Sequence, residues 1–374
     1  MVVPLLILSM VVTSVLSQSC NIRDTDEGSV CVCNAKYCDT VPELDVSTGK
    51  YQLYSTSKAK LGFYSTTGSF VENTDGEESS ITVDQDTKHQ NIIGFGGINI
   101  KLLPEGAEKN LIESYFGNSG IAYSLCRVPI GGTDFSTRGY SYDDVEGDDT
   151  LEHFALQQDD LDYKIPFILQ AKALRNNNIK LFASAWSAPT WMKTINDWFT
   201  GSLKDEYYQL WADYNLRFYE EYNKRNISFW GMTTQNEPSG AGWSPSQMNL
   251  EQGAGGWVDW NMVLNEEGGP TYIDNYVDSP IIVNATLQEF YKQPMFYALG
   301  HFSKFAVPDS VRLETTVKDL DNVRAMAFLR PDNLIALIIS NSGSEKTSVR
   351  IQNSQGQTAA IQIEANSINT VLYS

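Results

Sequence analysis

The chain is poor in the residues that bind metals and nucleic acids. It has 3 His in 374 residues, and no H-E-x-x-H or comparable group of metal ligands occurs in it. Basic residues are also scarce: 27 Lys and Arg stand against 46 Asp and Glu, which gives a formal net charge of −19. Such a charge repels a phosphate backbone and argues against nucleic-acid partners. We therefore predict no metal and no cofactor, since GFGG at 94–97 also lacks the spacing of a phosphate-binding loop.

Long apolar runs are absent beyond the N-terminus. Residues 1–17, MVVPLLILSMVVTSVLS, are too few for a membrane span, and the small residue Ser17 suits cleavage by signal peptidase. We expect a signal peptide at 1–17, entry into the secretory pathway and no transmembrane span. Two N-glycosylation sequons, at Asn226 and Asn284, agree with this route.

Cysteines are few and unevenly placed. Four of the five follow the predicted signal peptide closely, namely Cys20, Cys31, Cys33 and Cys38. In an oxidising compartment this grouping favours two disulfides, and a zinc site is the alternative. The fifth, Cys126, lies in an apolar strand pattern, which indicates a buried free thiol.

The two ends of the chain share one pattern and the middle has another. Residues 51–88 and 311–374 contain short runs of alternating apolar and polar residues separated by turn residues, which predicts one antiparallel β-domain assembled from both ends. Between them, apolar strand patterns alternate with helical patterns, as in KIPFILQAKALRNNN followed by IKLFASAW. This alternation predicts an α/β region with a parallel sheet, either a barrel or a doubly wound sheet.

Polar and aromatic residues recur where the predicted strands of this middle region end. They are Arg127, Asp134, Trp186, Trp191, Asn236, Glu237 and the run Trp257–Asn261. In a barrel of parallel strands, that edge is where active sites are built.

The Asn-Glu-Pro triplet at 236–238 has the form that presents a catalytic acid. Glycoside hydrolysis uses two carboxylates, and Glu237 fits the one that protonates the leaving group. Asn236 can hydrogen-bond a sugar hydroxyl, and the flat rings of Trp186, Trp191 and Trp260 suit the apolar face of a pyranose. A simple turn and ordinary core packing are the alternatives. Several such residues at one edge favour a carbohydrate site.

Several long blocks resemble glycoside hydrolase family 30, in particular its acid β-glucosidase (glucosylceramidase) members. They include VCVCNAKYCD, ASAWSAPTWMKT, WGMTTQNEPS, GWVDWNMVLNEEGGP and YKQPMFYALGHFSKF, and the resemblance runs from Cys20 to the C-terminus. It implies a (β/α)₈ TIM-type barrel and an all-β immunoglobulin-like domain built from both chain ends. It also implies retaining hydrolysis of glucosylceramide to glucose and ceramide in sphingolipid catabolism.

This resemblance divides the chain after residue 17 into three discontinuous units. They are a small disulfide-bonded sheet element at 18–44 with 262–293, a β-sandwich at 45–91 with 309–374, and a glycosidase barrel at 92–261 with 294–308.

The resemblance also implies roles for particular residues. Glu237 would be the acid/base and Asn236 a neighbouring sugar ligand. Trp186 and Trp260 would line the glucose pocket, and Arg127 would support the site from a neighbouring strand end. The implied disulfides are Cys20–Cys31 and Cys33–Cys38. The implied partners are a glycosphingolipid substrate, a saposin-type activator and acidic membrane lipids, in the lysosome lumen or at the lysosomal membrane surface.

Two departures from the family pattern are visible. The family carries a nucleophilic Glu in a Ser-Glu-Ala-type motif downstream of the acid/base, and nothing between Pro238 and Gly255 matches it. The run from Ile92 to Asn261 accounts for only about five of the eight strands of a barrel, so we predict a barrel truncated between 238 and 255. In addition, GFGG continues directly into INIKLLPEG, without the expected segment that carries a glucose-binding Asp.

Three other carboxylates could in principle replace the nucleophile. They are Glu251, in the shortened connection, and Glu266 and Glu267, in LNEEGGP. A retaining pair must lie about 5 to 5.5 Å apart, so we expect none of the three to take this role.

Three hypotheses follow from these residues. The first is a glucosylceramidase whose chain has lost internal segments, through a splice variant or a faulty gene model. The second is a catalytically inactive relative that binds carbohydrate or a partner protein. The third is a carbohydrate-binding module formed by the terminal β-domain, which is weakened because its strands show no exposed aromatic platform.

Overall fold

The computed structural model describes residues 17–26, 28–72, 80–98, 107–237 and 253–374. The predicted signal peptide lies outside these residues apart from Ser17. Within the described part of the chain, no helix has the length and hydropathy that a bilayer span requires. The strands form three separate sheets, and the predicted β-rich ends enclose an α/β middle.

The described helices and strands are numbered in chain order. The helices are α1 (Glu108–Phe116), α2 (Ile165–Leu174), α3 (Tyr208–Asn223) and α4 (Pro294–Phe305). The strands are β1 (Ile22–Thr25), β2 (Gly28–Asn34), β3 (Lys50–Ser57), β4 (Lys60–Ser69), β5 (Ser80–Asn91), β6 (Gly94–Ile98), β7 (Leu125–Ile130), β8 (Lys180–Ala185), β9 (Gly231–Met232), β10 (Gly256–Asn261), β11 (Val263–Asn265), β12 (Ile281–Asn284), β13 (Glu289–Lys292), β14 (Val311–Lys318), β15 (Val323–Leu329), β16 (Ile335–Asn341), β17 (Thr347–Gln352), β18 (Thr358–Ile363) and β19 (Ser367–Tyr373).

The middle of the chain forms a parallel sheet of five strands in the order β10–β6–β7–β8–β9. Helices α1, α2 and α3 each lie between two successive strands of this sheet along the chain, as in a barrel of βα units. Among the described residues, β9 and β10 pair with no further strand and do not pair with each other. The prediction of an incomplete barrel with about five of eight strands is therefore confirmed.

The glycines of GFGG allow neighbouring strands to approach closely. A Cβ atom on Gly96 would lie 1.4 Å from the carbonyl oxygen of Leu125 on β7. A Cβ atom on Gly256 of β10 would lie 2.0 Å from the carbonyl oxygen of Gly94. Only glycine fits at these two positions, which agrees with a packing role for this motif rather than phosphate binding.

Strand β9 is shorter than the sequence pattern predicts. The run SFWGMTT indicates a strand over 228–234, whereas only Gly231 and Met232 pair, with Phe182 and Ala183 of β8. Since β9 is an edge strand in the described part of the chain, it receives backbone hydrogen bonds from one side only.

Both ends of the chain build a nine-stranded sheet in the order β18–β17–β5–β14–β15–β16–β19–β3–β4. Its central pairs are antiparallel, with β19 between β16 and β3. Alternate side chains such as Leu337, Val371 and Ile361 fill one apolar core. The predicted β-domain built from both ends is thus confirmed, whereas the exact boundaries of the three units stay a prediction.

A small third sheet joins the N-terminal strands to a later segment, in the order β1–β2–β13–β12–β11. It carries the two disulfides that the resemblance implied, Cys20–Cys31 and Cys33–Cys38. Cys126 is a buried free thiol, as predicted. Burial raises the pKa of Cys126 to about 12, so it is not a nucleophile at ordinary pH.

Helix α4 connects the three sheets. Lys292, the last residue of β13, pairs with Asp39 at 3.0 Å, and the hydroxyl of Tyr297 on α4 donates to the same carboxylate at 2.8 Å. On the other side, the His301 ring contacts the hydroxyls of Thr370 at 2.8 Å and Thr56 at 3.2 Å. Buried polar contacts of this kind fix the position of one element on another.

Candidate active site

The predicted site residues come together at the carboxyl end of the parallel sheet. Arg127 lies on β7, Trp186 follows β8, and Trp260 lies on β10. Asn236 and Glu237 lie in the segment after β9. Because all five strands run parallel, these positions share one edge of the sheet, as the sequence predicts.

Arg127 is the centre of a hydrogen-bond network. Its Nη2 donates to Ser184 Oγ at 2.6 Å and to Asn236 Oδ1 at 2.6 Å. Its guanidinium carbon lies 4.4 Å from the centroid of the Trp186 ring, within cation–π distance. Burial lowers the pKa of Arg127 to about 10 although the charge of Glu237 opposes this shift. The guanidinium therefore remains positively charged at neutral and acidic pH and holds the Asn236 amide in one orientation.

The segment that carries Glu237 is fixed by backbone hydrogen bonds to β8. The N–H of Asn236 donates to the carbonyl of Ala185 at 2.8 Å. The side-chain amide of Gln235 donates to the carbonyl of Trp186 at 2.7 Å. Glu237 itself is exposed and has a φ of 45°, in the left-handed region that non-glycine residues rarely adopt. Such backbone strain is frequent at functional sites.

Two of the predicted tryptophans form one aromatic wall. The rings of Trp186 and Trp260 stack with centroids 4.9 Å apart, and Phe135 meets Trp260 edge-on at 5.7 Å. Since the two rings cover each other, the pair offers one shared surface and not two separate sugar platforms.

Trp191 does not belong to the site, and its interpretation as an aromatic residue of the rim is wrong. It is buried, its ring nitrogen donates to the carbonyl of Asp143 at 2.9 Å, and it packs against Tyr207. A short 3₁₀ turn, Thr190–Met192, directs this side chain into the core. The run Trp257–Asn261, expected after a strand, instead lies within β10.

A second carboxylate, Asp134, lies near Glu237. Burial raises the pKa of Asp134, and the charge of Glu237 adds to this shift, whereas hydrogen bonds from Asn275 and Trp186 lower the pKa. The Asn275 amide donates to Asp134 Oδ2 at 3.0 Å. The glucose-binding Asp expected after GFGG has no counterpart in the sequence, and Asp134 provides a carboxylate at the site from another strand end.

The sequence gives little indication that Asp134 and Asn275 belong to the site. It identifies Asp134 only as a polar residue after a strand. Asn275 lies in a loop that no strand pattern precedes, and it is 141 residues from Asp134 along the chain. No local signal in the sequence connects the two.

The described residues offer no replacement for the nucleophile among the candidates considered. Glu266 accepts a hydrogen bond from the Asn284 amide at 2.7 Å, in the small sheet and away from Glu237. Glu267 is exposed on the following turn. Glu251 lies outside the described residues.

An open cleft of about 730 Å³ extends from the site between β9 and β10. Glu237 and Asn236 line it from one edge, and Trp257 and Gly256 line it from the other. The cleft thus occupies the place where further strands would close the barrel.

Comparisons with known families match both large parts of the chain. The family model described as the glycosyl hydrolase family 30 TIM-barrel domain matches residues 91–251 and 244–306. The model described as the family 30 beta sandwich domain matches residues 309–371.

Similar proteins are named as glucosylceramidases. A putative glucosylceramidase 3 of Caenorhabditis elegans is 32% identical over 481 positions, which cover 92% of this chain and 92% of that protein. A lysosomal acid glucosylceramidase of Mus musculus is 29% identical, over 86% of this chain and 89% of its own length. Among solved structures, SrfJ from Salmonella typhimurium has a TM-score of 0.79 at 21% identity and covers 87% of this chain and 99% of its own.

The first of these alignments is longer than the chain itself. It extends over 481 positions, whereas the chain has 374 residues. The relative therefore carries more than a hundred positions with no counterpart here. The family model of the TIM-barrel domain matches in two pieces that overlap at residues 244–251, inside the predicted interruption between 238 and 255.

Proposed function

The chain is a member of glycoside hydrolase family 30, and from this we propose that its site binds the glucosyl headgroup of glucosylceramide. The names of the relatives support this substrate, since five of them, at 28–32% identity, are named as glucosylceramidases. One observation carries the proposal. Arg127 hydrogen-bonds Asn236, and the stacked rings of Trp186 and Trp260 lie with this pair beside the exposed carboxyl of Glu237.

Each group has a chemical part in this proposal. Asn236, held by Arg127, binds a sugar hydroxyl, and the aromatic wall receives the apolar face of the ring. Asp134 accepts hydrogen bonds from sugar hydroxyls, because its carboxylate is already directed by Asn275. In a chain that includes the interrupted segment, Glu237 would be the acid that protonates the glycosidic oxygen when ceramide leaves.

Retaining hydrolysis needs one further group. A carboxylate must attack the anomeric carbon while Glu237 protonates the leaving oxygen, and Glu237 must then remove a proton from the water that releases glucose. The candidate carboxylates Glu266 and Glu267 do not fit the attacking role, so we propose that this chain binds the glucosyl group without turning it over. The parent activity is glucosylceramide hydrolysis by a chain that includes the interrupted segment.

A titration and a covalent label together test this proposal. The glucose-configured inhibitor deoxynojirimycin should bind, and the Asn236→Ala variant should bind it roughly tenfold more weakly, as the loss of one hydrogen bond predicts. Leu287→Ser, at an exposed turn far from the site, is the matched control and should bind like the unchanged chain.

The label is a 2-deoxy-2-fluoroglucosyl fluoride, which traps the nucleophile of retaining glucosidases as a glucosyl ester. We expect no mass increase with this chain. An adduct would contradict the proposal, and peptide mapping would then identify the carboxylate that attacks. Failure of deoxynojirimycin to bind would contradict the assignment of the sugar site itself.

The transcript provides an independent test. A read across the codons for Leu250–Gly256 and Gly97–Lys101 should reveal a longer product that carries the missing strands and a Ser-Glu-Ala-type motif. If only the short product exists, the binding without turnover proposed above is the function of the protein as a whole, and a partner protein is the alternative to carbohydrate as its ligand.

We also propose that the protein acts in the secretory pathway, in the lysosome lumen or at its membrane. The two disulfides support an oxidising route of synthesis. Of the two sequons, Asn226 is exposed on the turn after α3, whereas the Asn284 amide is buried and donates to Glu266. We expect a glycan on Asn226. A saposin-type activator is a further proposed partner, drawn from the family resemblance alone.

A further inference from the structure

The parallel sheet has two open edges, one on each side of the cleft. Strand β9 ends the sheet on one side and β10 ends it on the other, and within the described residues each pairs on one side only. Large apolar side chains are exposed at these edges: Trp230 is 58% exposed, Met232 48% and Trp257 37%. An exposed apolar strand edge is a template for pairing with a further strand.

The apolar surface continues from β9 onto helix α3. Leu216 of α3 is more than half exposed, and it lines one groove of about 450 Å³ together with Tyr219, Trp230 and Met232. In a complete barrel, the βα unit that follows would cover this side of the last strand and helix. A contiguous exposed apolar surface of this kind marks an interface, whereas single exposed apolar residues do not.

The sequence around β9 predicts more pairing than the described part of the chain provides. The run SFWGMTT at 228–234 has a strand pattern, whereas only Gly231 and Met232 pair with β8. This run contains no charged residue and no proline, which are the residues that commonly protect an edge strand from association. Strand β9 can therefore lengthen when another strand lies on its open side.

The connection between the two edges is too short to supply the absent strands. Residues 233–255 lead from the carboxyl end of β9 to the amino end of β10. Because the two strands run parallel, this connection has to cross the length of the sheet, which takes about a dozen residues or more. Three further βα units would take on the order of a hundred residues. Partners for both edges must therefore come from outside the chain.

We propose that two copies of the chain pair edge to edge, β9 of each with β10 of the other, and close one ring of ten parallel strands. A two-fold axis along the ring relates the copies, so all strands keep one direction and each junction occurs twice. A second copy carries both of the edges that the first copy needs, and closure of the ring leaves no edge open. Pairing of β9 with β9 would instead be antiparallel and would leave both β10 edges exposed.

The ring places both copies at each candidate site. Asn236 and Glu237 follow β9, and Trp257 and Trp260 lie on β10. The Glu237 segment of one copy therefore lies beside β10 of its partner, at the carboxyl end of both strands. The mouth of the ring is wider than that of an eight-stranded barrel, because barrel diameter increases with the number of strands. Closure of the ring does not depend on which ligand the site takes.

Sedimentation equilibrium and hydrogen exchange of the unchanged full chain provide the first test. At micromolar concentration the chain should have twice the mass of one copy, with no larger species. Backbone amides in peptides that contain 228–234 should exchange more slowly at high protein concentration than at low concentration, because β9 gains hydrogen bonds from its partner.

A pair of charged variants tests which edges meet. Met232→Lys on β9 and Trp257→Glu on β10 should each weaken the dimer at least about tenfold, because each places a charge in both junctions. A mixture of the two variants should form dimers again, since the mixed dimer has one unchanged junction and one that joins Lys to Glu. Leu287→Lys, at an exposed turn between β12 and β13, is the matched control and should dimerise like the unchanged chain.

Several outcomes would overturn the inference. They are the mass of one copy at all concentrations, oligomers that grow without closure, and a dimer that neither variant weakens. A dimer that only one of the two variants weakens would show pairing of like edges, and two folded variants that do not combine would exclude the junction of β9 with β10. If near-ultraviolet circular dichroism shows a variant to be unfolded, the hydrogen exchange of the unchanged chain decides, and equal exchange at both concentrations refutes the ring. Binding of deoxynojirimycin by a single copy would refute the ring and leave the proposed function standing.

Discussion

Replacement of Lys292 by Met tests whether a buried ion pair holds together the two chain segments that form the small sheet element. Lys292 Nζ lies 3.0 Å from Asp39 Oδ1, and the two side chains are 2% and 4% exposed. The ammonium also donates to the backbone carbonyl of Asp39 at 3.0 Å. After the substitution, the Asp39 carboxylate stays buried with Tyr297 as its remaining side-chain donor.

Lys292→Met should lower the free energy of unfolding strongly, because it leaves the charge of the buried Asp39 carboxylate uncompensated. Removing one partner of a buried pair costs about 3–5 kcal/mol. Burial lowers the pKa of Lys292, and the Asp39 carboxylate opposes that shift. By contrast, Lys346 and Glu364 form a pair at 2.8 Å with side chains 52% and 53% exposed. Exposed pairs contribute about 0–1 kcal/mol, so Lys346→Met is the matched control.

Urea unfolding followed by near-ultraviolet circular dichroism measures both variants. Asp39→Leu combined with Lys292→Met should recover much of the loss, because no unpaired charge then remains in the core. The reasoning fails if Lys292→Met and Lys346→Met have the same unfolding midpoint, or if the double variant is less stable than Lys292→Met. Unfolding of the unchanged chain without a cooperative transition would show that the open barrel has no fixed core.

Three further predictions concern catalysis, modification and pH. Glu237→Gln should leave glucoside hydrolysis by this chain unchanged at background level. In a chain with the missing segment restored, the same substitution should lower kcat by about 10²–10⁴-fold. A large loss of activity in the present chain would contradict the proposal that it has no nucleophile. Asn226→Gln should abolish a glycosidase-sensitive mass shift of the secreted protein, and Asn284→Gln should leave it unchanged. The opposite result would show that the buried Asn284 amide is the one that carries the glycan. Burial lowers the pKa of His301 to about 3, so the unfolded chain binds a proton there first as pH falls below 6.5. His301 alone should therefore remove about 2 kcal/mol of folding free energy between neutral pH and pH 5. The difference in unfolding free energy between the unchanged chain and His301→Asn, measured in urea, should change by that amount between the two pH values, and a difference that is independent of pH would refute the assignment.

The architecture of this chain was predictable because the spacing of apolar residues within short stretches of sequence distinguishes strands from helices. Alternation of apolar residues over 51–88 and 311–374 predicts antiparallel strands, and the positions of β6, β7 and β8 follow from apolar runs between helices. The incomplete barrel of the described residues was also predictable, because closure of a barrel requires a fixed number of strands. Strand β9 was overestimated because its length depends on pairing, which the sequence of one strand does not contain.

The site was predictable only where the residues are adjacent in the chain or where their type has one usual role. Glu237 and Asn236 are adjacent in the chain and stay adjacent in the site. Trp186 and Trp191 look equivalent in AWSAPTW, yet a single 3₁₀ turn places one at the site and the other in the core. The Asp134–Asn275 bond depends on where two distant loops meet, which is decided by tertiary packing.

The position of β19 has a consequence for how the protein is made. Among the described strands, the hairpin of β3 and β4 joins the nine-stranded sheet through β19, which pairs with β3 from Tyr51 to Ser57. The ribosome produces β19 about three hundred residues after β3, so the early hairpin is synthesised long before its neighbour in the sheet exists. During that interval one edge of β3 has no strand to pair with. A premature stop codon shortly before Ser367 would leave it without a partner and direct the newly made chain to degradation.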